Sequence, residues 1–412
     1  MPFFSVAQPL TLPELAAALR SGEALRLPPA AAGQPAPLAD GPGSPSATNW
    51  LLAHAGGVGP EVPAPLVRRM LLLLAQRLSG ATSSGQLAAA RRLLDFYHRD
   101  VWPVVPEQGA LGATDAVPLT HLCLPLLGLG EVDYQGYRLA AADVLGLFGW
   151  EALTLPAADG AALLAGHELT LAYATEALER AGHLLGAAEA LGALALVVLD
   201  APGSVGYQSA PAASRAAVAY VAQAVQAAGQ AGHRGPNNEL ATNLPSASLA
   251  LVLDHLAAAG ATLGSSSVLR TGQLLAGLAG LPPALAGPEL PLGLQVPYRT
   301  AASLASQTQQ LCAPAASPPG ELGGGAASAA PAAVRARRVV ENVEQILGIE
   351  LLVVAQALDL RRAASPDAAS PGPGPGPALA AFRAHVTFVA RPRALAPDLH
   401  RAARFVREYH WA

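Results

Sequence analysis

A mainly α-helical fold, built either as one large helical unit or as a small domain plus a long helical bundle and including one short hairpin, is the architecture this sequence predicts. Three observations predict it: a core composition dominated by Ala, Leu and Val, helical periodicity along most apolar segments, and one short alternating stretch between Gly-rich turns. Hydrophobic residues make up 52% of the 412 residues and aromatic ones 5%, so the interior must be filled by small and branched aliphatic side chains that favour close helix packing. A chain of this length and apolar content can bury a substantial core.

The first helix signal is Thr11-Leu12-Pro13-Glu14, with Thr as N-cap, Pro in the first turn and Glu facing the positive end of the helix dipole. Leu27 to Pro45 is rich in Pro and Gly and reads as loop. Helical periodicity resumes from Pro65 in LVRRMLLLLAQRL, breaks at ATSSG and returns in QLAAARRLLDFYHRD. The stretch from Val101 to His121 carries too much Pro and Gly for a helix and is expected to be loop or turn. Gly130 to Leu139 alternates around Gln135-Gly136, the pattern of a small hairpin.

Alanine-rich helices are expected from about Asp159 to Leu199, Ala212 to Ala231 and Ser246 to Ala259. Pro314 to Ala330 and Ser365 to Pro377 are low-complexity segments. Between them, Val334 to Arg362 forms one long helix whose centre, Ile346 to Leu358, is apolar nearly all round and belongs in a bundle core or an oligomer interface. The organisation expected is an N-terminal domain over 1–150, a central bundle over 151–363, a Pro/Gly-rich linker over 364–378 and a C-terminal helical segment over 379–412.

Charge excludes several functions. A formal net charge of -4 without a dense Lys/Arg run provides no footprint for nucleic acid or an anionic membrane. The N-terminus lacks a basic then apolar leader pattern, and apolar runs elsewhere are expected to be cut by Gly, Pro or charge before they reach a bilayer's length. Cys123 and Cys312 have neither disulfide-framework nor metal-type spacing, which fits a reducing cytoplasm.

Other candidate groups read as structural. Asp254-His255 with His233 has no metal-ligand spacing, so no metal is expected there. Asp115 and His121 stand six apart across a Pro-containing segment and read as local turn stabilisers rather than an acid/base pair. GELGGGAAS and GLGEVDYQG lack the Lys-Ser/Thr of a phosphate loop. The run Arg335 to Arg338 sits at the unfavourable end of its helix dipole, which implies an acidic neighbour.

Three stretches carry a family likeness. Asn49-Trp50-Leu51-Leu52-Ala53-His54-Ala55-Gly56-Gly57-Val58-Gly59 is similar to Asn-Leu-x-x-Ser-His-Ala-x-Gly-x-Gly. The run from Pro103 to Leu139, PVVPEQGALGATDAVPLTHLCLPLLGLGEVDYQGYRL, is similar to Pro-x-x-Pro-x-x-Gly-Ser-Val-Gly-Ala-Ser-Gly-Asp-Leu-x-Pro-Leu-Ala-His with its trailing Leu-Leu-Gly-x-Gly and Tyr-x-Gly. Val339 to Arg361, joined to ALAPDLHRAARFVRE, is similar to a pair of C-terminal helices. In this order the three resemble the aromatic amino-acid ammonia-lyases, the family of histidine and phenylalanine ammonia-lyase. The resemblance implies helical subunits with a small N-terminal domain bearing the cofactor loop, a homotetramer with active sites between subunits, and an amino-acid ligand.

That family builds its electrophile, a methylidene-imidazolone, from an internal Ala-Ser-Gly: the amide nitrogen of the third residue attacks the carbonyl of the first, and the Ser loses water. Gly suits the third place because the backbone folds back on itself there. Here the cofactor-forming positions are Ala113, Thr114 and Asp115, with Asp115 either replacing the Gly or standing for the Asp that follows it. His54, Thr114 and Glu321 occupy the catalytic positions that the resemblance assigns. The Tyr of Tyr-Gly-x-Asn-Thr-Gly-Phe-Gly has no counterpart, since no Tyr precedes position 97, and the Asn of Leu-x-Asn-Gly-Thr falls on Ala165. The Gln-Asp-Pro-Tyr-Ser-x-Arg and Gly-Gly-Asn-Phe-His motifs are absent. The expectation is a homologue without this cofactor that has lost ammonia elimination and acts structurally or by regulation. The alternative is an active carbon-nitrogen lyase or aminomutase on histidine, phenylalanine or tyrosine, with a rearranged site and the self-generated ring.

Overall fold

Where apolar residues recur three and four apart the chain forms helices, and the computed structural model describes residues 4–5, 10–21, 25–26, 46–81, 83–110, 114–199, 209–230, 246–278, 280–314, 328–364 and 376–411. They fall into two compact units. The first comprises Met1–Glu176, Ala222–Leu253 and Ala315–Val334, and the second Ala177–Val221, Asp254–Pro314 and Arg335–Ala412. The fold is mainly α-helical with long bundle helices.

The first unit opens with β1 (Phe4–Ser5), α1 (Leu12–Ser21) and β2 (Leu25–Arg26), with β1 and β2 parallel. The Thr11 backbone N–H donates to Glu14 Oε2 at 2.8 Å and the Glu14 N–H reaches back to Thr11 Oγ1 at 3.4 Å, a reciprocal cap that starts α1 where the sequence places it. Next come α2 (Ala47–His54), β3 (Val58–Glu61), α3 (Ala64–Ser79), α4 (Ser84–His98), β4 (Val101–Pro103) and β5 (Pro106–Gln108). The chain continues through α5 (Ala116–Cys123), a 3-10 turn over Leu124–Leu127, β6 (Glu131–Tyr134), β7 (Tyr137–Ala140), α6 (Ala141–Leu147) and α7 (Ala157–Leu164) to α8 (Glu168–Leu199).

β6 and β7 form the expected hairpin, with Tyr134 opposite Tyr137 and positive φ at both Gln135 (51°) and Gly136 (82°), as a two-residue primed turn requires. β4 pairs with β6, and β3 pairs antiparallel with β5.

Two expectations are corrected here. The segment to His121 was expected to be loop throughout, yet α5 begins inside it. Its Pro118 is the third helical residue, whose N–H would have no partner within the helix in any case, so the ring costs no hydrogen bond. The single helix expected over 159–199 is interrupted at Ala165-Gly166-His167.

The second unit draws on α8, α9 (Ser209–Gln230), α10 (Ser246–Leu275), α11 (Gln295–Leu311), α12 (Ala329–Ala364), α13 (Gly376–His385) and α14 (Ala396–Glu408). The apolar centre of α12 is buried as expected, with Ile346, Leu347, Leu351, Leu352, Val353 and Val354 all inside. Its polar members are neutralised in pairs: Arg180 grips Glu344 through two bonds of 2.7 and 2.6 Å, and Arg270 grips the fully buried Glu350 through bonds of 2.6 and 2.8 Å. The acidic neighbour implied for the arginine run is Asp254, 2.7 Å from Arg335, while Arg337 pairs with Glu341 at 2.9 Å.

The expectation that every apolar run would be cut short is also corrected. The stretch Ala157–Leu199 and helix α10 are long and apolar enough, by length and composition, to cross a membrane. About half of each apolar window is buried within the chain, as for the core helices of a bundle.

Candidate active-site loop

The loop that the sequence singles out ends at Thr114-Asp115, directly before α5, and its surroundings lie in the first unit. Ala113 and Glu321, together with His233, lie outside the described residues. Asp115 is the N-cap residue of α5, but its side chain does not cap that helix. It reaches instead to the first turn of α8, where the Thr170 N–H donates to Oδ2 at 2.8 Å and the Thr170 hydroxyl donates to Oδ1 at 3.0 Å. The Asp115 backbone N–H donates to Gly166 O at 2.9 Å. A carboxylate is thereby seated at the positive end of α8 while its own backbone fastens the start of α5 to the α7–α8 junction.

Burial pushes the Asp115 carboxyl up to about 6, against the lowering influence of His167 and the Thr170 bonds. Desolvation therefore outweighs a helix terminus and two donors. The junction is held from its other side by Arg77, which bonds Glu168 Oε1 at 2.5 Å and the carbonyls of Ala162 and Leu163 at 2.8 and 3.1 Å. One guanidinium thus closes the C-terminal end of α7 and holds an acid at the start of α8. Ala165, where the resemblance places Asn, is exposed at this junction.

His54 ends α2, half-buried, with Nδ1 2.8 Å from Trp50 O and its ring 4.9 Å from the Trp50 ring. It makes no hydrogen bond to Thr114 or Asp115 among the described residues. The segment after it docks on α5: the Gly57 N–H donates to His121 Nε2 at 3.2 Å, and burial holds the His121 imidazole below its ordinary range. A Cβ on Gly57 would lie 3.0 Å from both His121 and Pro106, and Gly109, with φ of 129°, faces Gly57 Cα and Val117. Glycine is required at Gly109, where φ is positive, and a side chain at Gly57 would force His121 or Pro106 to shift. Asp115 and His121 each have other partners and do not form an acid/base pair.

The loop's upstream side is fixed as well. Glu107 on β5 accepts from the buried Tyr173 hydroxyl at 2.5 Å, and the Ser328 hydroxyl donates to Ala110 O at 3.3 Å. Sequence reasoning missed Thr170, Gly166, Arg77 and Tyr173. Thr170 and Tyr173 sit in an Ala/Leu-rich helix with no local pattern to set them apart. No group of three or more His, Cys, Asp or Glu among the described residues could hold a metal ion.

The family model described as aromatic amino acid lyase matches residues 45–228 and 237–386. The chain belongs to the aromatic amino acid lyase family. It is 32% identical to histidine ammonia-lyase of Symbiobacterium thermophilum, over 87% of this chain and 82% of that protein. It is also 32% identical to histidine ammonia-lyase of Anaeromyxobacter sp. (strain K), over 87% of this chain and 84% of the other.

Solved lyase-family structures share the fold. Histidine ammonia-lyase from Trypanosoma cruzi superposes with a TM-score of 0.83 at 22% identity, covering 99% of this chain and 93% of that one. Tyrosine aminomutase from Streptomyces globisporus gives a TM-score of 0.83 at 20% identity, covering 98% and 97%. The lyase fold thus persists around a loop whose Thr114-Asp115 end is tied to α8.

Proposed function

We propose that this lyase-family chain does not carry out methylidene-imidazolone-dependent ammonia elimination, and that it acts as a structural or regulatory homologue without that cofactor. The carrying observation is Asp115: its N–H is bonded to Gly166 O at 2.9 Å, and both carboxylate oxygens are bonded to Thr170. Ring closure in the family needs an amide nitrogen, free to turn back, in a residue without a side chain. The residue after Thr114 has neither property. Thr114 makes no hydrogen bond to a base among the described residues. Its dehydration would also leave a substituted alkene, more crowded and less electrophilic than the one formed from Ser.

The residues present therefore do not fit the group. Ala165 supports the same reading, because a methyl group cannot hydrogen-bond a substrate or a ring carbonyl. Residues that act as one unit drift together once the chemistry is gone. Assembly into a homo-oligomer and residence in the cytoplasm are part of the proposal.

The competing reading is an active carbon-nitrogen lyase or aminomutase on histidine, phenylalanine or tyrosine, and what favours it is 32% identity to histidine ammonia-lyases along most of the chain. Intact mass of the purified protein separates the two. The expected result is the unmodified mass, no new near-ultraviolet band, and no urocanate, cinnamate or coumarate from the three amino acids. Loss of two waters, about 36 Da for cyclisation and dehydration, together with any of those products, overturns the proposal.

A further inference from the structure

We infer that the cavity between α13 and α14 is a binding site for a small aromatic anion, a planar ring bearing one carboxylate or phosphate group. The cavity belongs to the second unit and shares no residue with the loop at Thr114-Asp115. Its volume is about 500 Å³, and His385, Arg401, Arg404, Phe405, Glu408 and Tyr409 line it. That is the size of a small-molecule site, with aromatic surface and a few polar groups converging on one space.

Helix α14 presents Arg401, Arg404, Phe405 and Glu408 together because they stand at helical spacing, within two turns on one face. Its other face is fixed. Ala402 and Val406 are fully buried, and the backbone at Ala403 lies so near α12 that a Cβ on Gly348 would stand 2.6 Å from Ala403 N. The aromatic floor is held as firmly. Phe405 and Tyr409 stack with centroids 4.8 Å apart, and Phe382 of α13 meets Phe405 edge-on at 5.5 Å. Trp411, whose Nε1 donates to Val406 O at 3.0 Å, meets Tyr409 edge-on at 5.1 Å. Rings already locked by packing lose little freedom when a further ring joins them.

Charge decides what that ring must carry. Residues 376–411 hold six arginines against two acids, Asp398 and Glu408, in a chain whose formal net charge is -4. Arg393 and Arg401 share Asp398 at 2.8 and 3.0 Å, Arg383 takes Asp359 at 2.8 Å, Arg407 takes Glu408 at 3.4 Å and Arg391 takes Glu289. Arg404 has neither an ion pair nor a hydrogen bond among the described residues, and it is exposed on the cavity wall three positions from Arg401. With His385 in the same lining, the two guanidinium forks can hold a planar or tetrahedral anion. Glu408, one turn beyond Arg404, opposes a second anionic group and can accept an N–H from a ring edge. An inorganic anion alone would leave Phe405 and Tyr409 unused, and a neutral ring would leave Arg404 unpaired. A ring joined to one anionic group uses both.

Titration calorimetry of the full chain with adenosine monophosphate, benzoate, adenosine and inorganic phosphate tests the site. Saturable binding of adenosine monophosphate or benzoate is expected, at least about tenfold tighter than that of phosphate or adenosine. Binding of benzoate alone identifies the anionic group as a carboxylate, and binding of the nucleotide alone identifies it as a phosphate. Arg404→Gln keeps the side chain's reach and touches no internal bond, so it should leave the fold intact and weaken binding by about tenfold or more. Arg391→Gln removes the same charge from the same segment outside the cavity, and should change binding by less than about twofold. Absence of saturable binding by both anions at millimolar concentration overturns the inference. So does phosphate binding as tightly as the ring-bearing anions, or an equal loss in the two variants, since either outcome means general charge attraction without a site.

Discussion

Asp115 shows how a side chain can resemble part of a reaction centre and serve packing instead. Its bonds are those of a buried anion at a helix terminus, yet burial dominates and raises its carboxyl to about 6. His167, whose Nδ1 is buried with no hydrogen-bond partner among the described residues, lies close enough to lower it, and Glu168 to raise it. A carboxyl whose folded pKa exceeds its unfolded value stabilises the fold fully below the unfolded value, and that contribution is lost as pH rises through the folded one. Comparing thermal melts of the natural chain with Asp115→Asn should show the natural chain losing relative stability between about pH 4 and 6, by on the order of 2 kcal/mol. A constant difference over that range would mean that Asp115 does not titrate there. His54 and Thr114 could be placed from their motif. Thr170 could not, because a hydroxyl 55 residues away along the chain gives no local sign of its partner.

Among the elements, positions were legible wherever a cap or turn residues announced them, as at α1 and the β6–β7 hairpin. The break between α7 and α8 was not, because Ala165-Gly166-His167 has no Pro, and Gly within an Ala-rich stretch is tolerated in a helix. What stops the helix is tertiary: Arg77 occupies the carbonyls of Ala162 and Leu163, and Asp115 occupies the N–H of Thr170. The glycines of the long helices divide by the same criterion. A Cβ on Gly348 of α12 would stand 2.6 Å from Ala403 N and 2.9 Å from Ala403 Cα, so backbone meets backbone. Gly182 of α8 has open space around it. Gly348→Ala is therefore expected to destabilise by about 1–3 kcal/mol, whereas Gly182→Ala should stabilise by about 0.5–1 kcal/mol. Chemical denaturation measures both, and equal effects of one sign would contradict this packing.

For the whole molecule, the second unit leaves Leu269, Leu278, Leu292 and Val296 each more than half exposed, and Leu292 and Val296 line an apolar cavity of about 610 Å³. The apolar cavity that Leu292 and Val296 leave open to solvent favours association. Light scattering is expected to return a multiple of 41.6 kDa, and a monomer mass would refute the proposed homo-oligomer. By itself the sequence determined the helical class, most element positions, the hairpin and the lyase-family likeness, because periodicity, caps and turn residues act within a few positions of one another. Only the tertiary structure decided that Asp115 belongs to α8, that α7 and α8 are separate helices, and that Arg335 pairs with Asp254. Each of these concerns a polar group that must find a partner once its surroundings are withdrawn from water. The partner is whichever donor or acceptor distant packing brings within reach.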